Sequence, residues 1–164
     1  MIRVILSDFS RVILQVKDKT YKGTLNGLYQ ELVAKNKTFN FYDYYEFNEE
    51  LLTFYKKLKR NYSVNIFTLG SIQKNSAEVK KRIRNIFDNV FSSKDLGLNK
   101  NDSRSYILIA KKLHKKPEEI LFIDDQEENI KAAKKMGLKT VLFENTHMLL
   151  SKLKILLDLA TPIN

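Results

Sequence analysis

The chain has 164 residues, the usual size of one domain, and 43% are hydrophobic, enough to bury a single core. Lys and Arg number 29 against 19 Asp and Glu, so the formal net charge is +10. Cysteine is absent and only His114 and His147 represent histidine, which excludes disulfides, thiolate zinc sites, thiol nucleophiles and His-rich metal centres.

A surplus of positive charge favours acidic partners such as nucleic acid, phosphorylated metabolites or anionic lipid. Lys (23) far outnumbers Arg (6), so a compositional bias toward solvated lysine faces is the plainer reading. Both histidines read as solvated: His114 lies within a basic run, and His147 opens the last helical stretch. No apolar run approaches the ~18 residues needed to cross a bilayer. The N-terminal run 1–6 is too short for a signal peptide, and a soluble cytoplasmic protein is the expectation.

In chain order, Arg3–Ser7, Ser63–Thr68, Asn89–Ser92, Ile120–Asp124 and Lys139–Phe143 are short apolar runs of strand length. They lack polar alternation, as expected of a sheet covered on both faces. Helical spacing marks Leu25–Lys35, Glu49–Arg60, Ser103–His114, Glu127–Met136 and Thr146–Leu159. Asp102 or Ser103 can cap the third of these, Gly137 can end the fourth, and Pro117 marks a turn. This alternation predicts an α/β fold with a parallel, doubly wound sheet.

The interval between the first two core strands is too long for a simple crossover. With Glu49–Arg60 as the crossover helix, Val16–Phe47 becomes an insertion, which divides a single domain into a core (1–15 and 48–164) and an excursion (16–47). Its aromatic run, Phe39, Phe41, Tyr42, Tyr44, Tyr45 and Phe47, could stack on a substrate, but packing onto the domain is the favoured role for most of them.

Ligands of such sheets bind beyond the carboxyl ends of the strands, near the point where strand order reverses. Those ends carry Asp8, Thr68 and Asp124-Asp125, while Lys100 lies in the loop before the Ser103 helix. Mg²⁺ prefers oxygen ligands and takes one or two carboxylates plus substrate phosphate. Asp8 and Asp124 can supply those carboxylates, supported by Asp125 and Asn129. Asp8 can also attack phosphorus once metal and cation neutralise the phosphoryl group. Thr68 Oγ and the backbone N–H groups of Leu69 or Gly70 can hold phosphoryl oxygens, and Lys100 can offset their charge.

Four segments resemble the motifs of the haloacid dehalogenase (HAD) superfamily. Val4-Ile5-Leu6-Ser7-Asp8-Phe9-Ser10 is similar to the first, and Ile66-Phe67-Thr68-Leu69-Gly70-Ser71 to the second. Gly97-Leu98-Asn99-Lys100-Asn101-Asp102 resembles the loop of the third, and Leu121-Phe122-Ile123-Asp124-Asp125-Gln126-Glu127-Glu128-Asn129 the fourth. The resemblance implies a three-layer, Rossmann-like HAD core, an aspartyl-enzyme intermediate and, in most members, a Mg²⁺-dependent phosphatase. It places a small helical cap at 16–47 and the catalytic roles on Asp8, Thr68 and Lys100. Metal ligation falls to Asp8, the Ser10 carbonyl, Asp124 and Asp125, and substrate contacts to Ser10, Arg11, Leu69 and Gly70.

One position departs from the pattern. The family's first motif carries a second Asp where this chain has Ser10, and that Asp protonates the leaving group. Ser10 cannot act as a general acid near neutral pH. A substrate with a good leaving group, such as an acyl phosphate or sugar 1-phosphate, depends less on that proton. Arg11 can reach a substrate phosphate or pair with a carboxylate. The alternative is an impaired, HAD-like binding module that engages nucleic acid or an acidic protein through the basic clusters 56–60, 80–84 and 111–116. No nucleic-acid motif accompanies those clusters.

Overall fold

The computed structural model describes residues 1–35 and 38–159. Asn36, Lys37 and 160–164, which the expected segments 16–47 and 48–164 include, lie outside the described residues. The apolar runs form one parallel five-stranded sheet from β1 (Val4–Ser7), β4 (Ser63–Thr68), β5 (Asn89–Ser92), β6 (Ile120–Asp124) and β7 (Lys139–Leu142). Their order is β5-β4-β1-β6-β7. Successive side chains of a strand face opposite ways, and both faces here are apolar. Ile5, Ile66 and Ile123 join one cluster, whereas Val4, Leu6, Phe67 and Phe122 join another.

The first cluster is closed by α3 (Glu49–Leu58), α5 (Ala77–Ile83) and α9 (Thr146–Leu156), through Leu51, Tyr55, Val79, Leu149 and Leu153. The second is closed by α7 (Ser103–Lys112) and α8 (Glu127–Lys135), through Tyr106, Ile109, Ala132 and Ala133. Helices on both faces of a parallel sheet give the three-layer, Rossmann-like fold expected from the sequence. Among the described residues, no helix is long and apolar enough to cross a membrane.

The helix expected at Leu25–Lys35 keeps its bounds, whereas the other four end one to three residues early, for local reasons. The α7 helix stops at Lys112 because His114 turns left-handed (φ 52°), while Lys115 N–H bonds the Ala110 carbonyl. Asp102 supplies its N-cap, accepting from the Arg104 N–H. Gly137 (φ 88°) turns the chain from α8 toward β7 in a conformation that disfavours side chains. Asp158 (φ 51°) follows α9 in the same way. His114 and His147 are exposed.

Two short strands escape the sequence pattern. Leu14–Val16 (β2) and Tyr45–Phe47 (β3) pair antiparallel, with Leu14 opposite Phe47 and Val16 opposite Tyr45. They bracket α1 (Leu25–Lys35) and α2 (Phe41–Tyr44). The aromatic run mostly packs here. Phe41 stacks on Tyr45 at 4.7 Å, and Phe41, Tyr45 and Phe47 are buried. Tyr42 and Tyr44 remain exposed.

The two faces of α9 predict a sharp contrast in stability. Leu153 is fully buried, so Leu153→Ala should cost about 2–5 kcal/mol. Ile155 is 81% exposed, and Ile155→Ala should change stability by less than about 0.5 kcal/mol. Urea unfolding of the two variants measures the difference, and equal losses would contradict this packing.

Candidate active site

The order of the sheet reverses between β1 and β6, and the acidic residues sit at that point. Asp8 follows β1 directly, with its N–H bonded to the Ile123 carbonyl at 2.7 Å, so the ladder carries it past the strand end. Asp124 is the last residue of β6 and is fully buried. Its Oδ1 accepts from Asn129 Nδ2 at 3.0 Å and from the Gln126 N–H at 2.8 Å. The following helix, α8, thereby orients the carboxylate.

Lys100 comes from the loop that precedes α7. A left-handed turn at Gly97 (φ 65°) ends the short helix α6 (Ser93–Leu96) and sends the chain back toward the sheet. The buried Tyr106 hydroxyl lies 2.6 Å from the Lys100 carbonyl and 3.1 Å from that of Asn129, tying the loop to α7 and α8. Lys100 Nζ lies 2.7 Å from Asp8 Oδ1 and 2.5 Å from Asp124 Oδ2. The rings of Phe67 and Phe122 flank the ammonium at 5.7 and 5.8 Å.

Burial dominates the electrostatics. It lifts the Asp8 carboxyl to about 6, against the attraction of Lys100 and with the help of the Asp124 and Asp125 charges. Asp125 is also raised, chiefly by burial. Burial opposes the Lys100 charge, yet Asp8 and Asp124 together hold its pKa above the ordinary lysine value. The excess of carboxylates over ammonium leaves room for further positive charge.

The donor set fits a hard divalent cation. Asp8, Asp124 and Asp125 each offer a carboxylate oxygen, and these atoms lie within 4.8 Å of one another. Asp124 Oδ2 is buried without a hydrogen bond, its contact being the Lys100 ion pair. The neighbours of Ser10, not Ser10 itself, make the local bridge: Leu14 N–H bonds the Phe9 carbonyl, and Arg11 N–H bonds that of Leu14. The Ser10 carbonyl is thus left outside that pairing. Arg11, held left-handed at φ 64°, sits next to it.

These groups open into a cleft of about 680 Å³. Asp8, Ser10, Arg11, Leu69, Gly70, Lys100, Asp125 and Asn129 line it. Thr68 and Asp124 are fully buried and do not. Thr68 Oγ1 accepts from Gln73 Nε2 at 2.8 Å and from the Gly70 N–H at 3.3 Å, so its own proton is free to be donated elsewhere. None of the six aromatic residues 39–47 lines this cleft.

Several lining residues carry no signal in the sequence reading: Thr24, Asn26 and Gln30 from α1 and its approach, Lys74 and Lys94 at the rim, and Ser92. Ser92 ends β5, so the rule that picked out Thr68 would have found it. The α1 residues come from a segment whose position over the sheet depends on tertiary packing.

Comparison with known proteins matches this arrangement. A family model for haloacid dehalogenase-like hydrolases matches residues 7–137. The chain is 37% identical over 95 residues to enolase-phosphatase E1 of Aquifex aeolicus, an alignment that covers 53% of this chain and 42% of that protein. It is 31% identical over 85 residues to bifunctional epoxide hydrolase 2 of Mus musculus, covering 52% of this chain and 15% of that one. The matched regions thus span less than half the length of these curated relatives. A HAD family enzyme from Bacteroides thetaiotaomicron, crystallised with magnesium and inorganic phosphate, shares the fold at a TM-score of 0.65 and 14% identity, covering 90% of this chain and 99% of that one. A predicted HAD-like family hydrolase from Porphyromonas gingivalis superposes at a TM-score of 0.67 and 18% identity, covering 96% of this chain and 98% of that one. With its acidic residues and lysine gathered at the reversal of a parallel sheet, and with the family model matching most of its length, this chain belongs to the haloacid dehalogenase-like hydrolases.

Proposed function

We propose that the protein is a Mg²⁺-dependent phosphohydrolase that works through an aspartyl-phosphate on Asp8, with 16–47 acting as a reduced cap. The observation that carries this reading is the buried junction of Asp8, Lys100 and Asp124, two of which line an open cleft. The phosphatase relative and the magnesium- and phosphate-bound neighbour support it. The charged residues of the basic clusters 56–60, 80–84 and 111–116 are mostly exposed, and Arg82 is ion-paired to Glu49.

Asp8 Oδ1 is held by Lys100 and by the Phe9 N–H at 2.6 Å, which fixes the plane of the carboxylate. An Asp8 oxygen attacks phosphorus, the P–O bond to the leaving group breaks, and the leaving oxygen takes up a proton from solvent. Water then cleaves the acyl phosphate and releases inorganic phosphate. Asp8, Asp124, Asp125 and the Ser10 carbonyl would hold Mg²⁺. When bound, it neutralises the carboxylates and the incoming phosphoryl oxygens. Lys100 offsets the charge that spreads over the transferring group, while Leu69 and Gly70 N–H receive its oxygens; the buried Thr68 hydroxyl, which accepts from the Gly70 N–H, holds that loop from beneath. Arg11 faces the same cleft as a further cation for the substrate phosphate. Ser10 supplies no acid, so substrates with good leaving groups are preferred, such as an acyl phosphate or sugar 1-phosphate.

Three outcomes test this. Hydrolysis of an activated aryl phosphate with Mg²⁺ should fall to background in Asp8→Asn. Activity that persists without Asp8 would defeat the mechanism, and a broad phosphometabolite panel without Asp8-dependent turnover would favour the binding module instead. Ser10→Asp should speed hydrolysis of phosphate esters with poor leaving groups, by up to about 10²-fold. An unchanged rate would show that protonation is not the step that Ser10 limits. Finally, metal binding requires ionised Asp8. Calorimetric Mg²⁺ affinity should therefore weaken as pH falls through about 6, approaching tenfold per unit below it. Affinity that is flat from pH 7 to 5 would remove Asp8 from the metal site.

A further inference from the structure

The short helix α4 (Ile72–Asn75) follows the loop that carries Leu69 and Gly70. Its own N-cap residue, Ser71, makes no capping bond with its side chain. The cap comes from elsewhere. Asn26 Oδ1, in the first turn of α1, accepts from the Ser71 N–H at 3.0 Å and from the Ile72 N–H at 2.9 Å. One side-chain oxygen, 45 residues away in sequence, takes up two backbone donors that a helix start would otherwise leave unpaired.

Gly70 is shaped to this contact. A Cβ at residue 70 would fall 1.6 Å from Asn26 Nδ2 and 2.4 Å from its Cγ. Its φ lies outside the left-handed region, so the absence of a side chain matters here for space and not for backbone conformation. The amide of Asn26 occupies the volume that any other residue would need.

Asn26 is itself aimed from behind. Thr24 Oγ1 accepts the Gly27 N–H at 3.0 Å and caps α1. The buried Tyr45 hydroxyl donates to the Leu25 carbonyl at 2.9 Å and ties the start of α1 to β3. The chain of contacts thus runs from the β2–β3 ribbon through α1 to the loop beside Asp8, and Asn26 and Gly70, where α1 meets that loop, both line the cleft.

We infer that Asn26 is a positioning residue that latches the 16–47 segment onto the 69–72 loop and thereby sets the pose of the Leu69 and Gly70 N–H groups that receive phosphate. This deepens the phosphohydrolase reading and rests on it for the ligand, though not for the latch. Asn26→Ala removes the acceptor, Asn26→Asp retains one, and Gly70→Ala fills the notch.

Two readouts that need no catalysis test the latch: amide hydrogen exchange at Ser71 and Ile72, and inorganic phosphate affinity with Mg²⁺ from the NMR shifts of Leu69 and Gly70. Asn26→Ala should speed exchange at both amides about tenfold, the size of a lost helix cap, and weaken phosphate several-fold. Asn26→Asp should restore exchange protection. Gly70→Ala should mimic Asn26→Ala, and adding Asn26→Ala to it should cause little further loss, because the latch is already broken. Unchanged exchange in Asn26→Ala would overturn the latch. Faster exchange with unchanged phosphate affinity would reduce Asn26 to a helix cap and overturn its positioning role. If wild-type protein binds no phosphate, the phosphohydrolase reading and the positioning role both fall, while the exchange data still decide the latch.

Discussion

The ammonium of Lys100, enclosed between Asp8 and Asp124, is the interaction on which the rest of the arrangement depends. Two carboxylates buried this closely repel one another, and desolvation penalises each further. A single cation within 2.7 Å of both makes the pair tolerable. It also joins three separate parts of the chain: the end of β1, the end of β6 and the loop before α7. The Tyr106 hydroxyl and the flanking Phe67 and Phe122 rings exist in the second core cluster as ordinary packing, yet they fix where that cation stands. Core and site are therefore not independent layers.

The same logic explains the composition. With no cysteine and two exposed histidines, the protein has only oxygen donors and amines for its chemistry. Burial lends those ordinary groups unusual properties, as the raised carboxyl of Asp8 illustrates. The +10 charge is mostly helix surface, where pairs such as Lys59 with Asp88 and Lys152 with Glu144 are partly solvated and contribute little.

The sheet was legible in the sequence because strands covered on both faces are continuous apolar runs, and the runs at 63–68, 89–92 and 120–124 coincide with β4, β5 and β6. Asp8 and Asp124 were legible for a related reason: a charged residue at the end of an apolar strand has nowhere to go except the sheet edge, whereas Lys100, in the loop before α7, was legible only through the motif it resembles. The helices α4 and α5 were not, because α4 has four residues and too little periodicity to declare itself. The β2–β3 ribbon, at three residues a strand, failed the same way. Asn26, Gln73 and Tyr106 were invisible for a deeper reason. Each acts through a hydrogen bond to a distant segment, and no local pattern encodes the partner. Thr68 shows the converse: the sequence marked the strand end correctly, but not that its hydroxyl would be sealed beneath the cleft by Gln73.

The ribbon has one more consequence. Because Val16 stands opposite Tyr45, the excursion through α1 and α2 leaves and re-enters the core at adjacent points. Lengthening such a closed loop costs only about 0.6 kcal/mol per doubling, so a change of length between the two strands is cheap in chain entropy. The constraint on that freedom is local: a replacement must still offer an acceptor to the Ser71 and Ile72 amides.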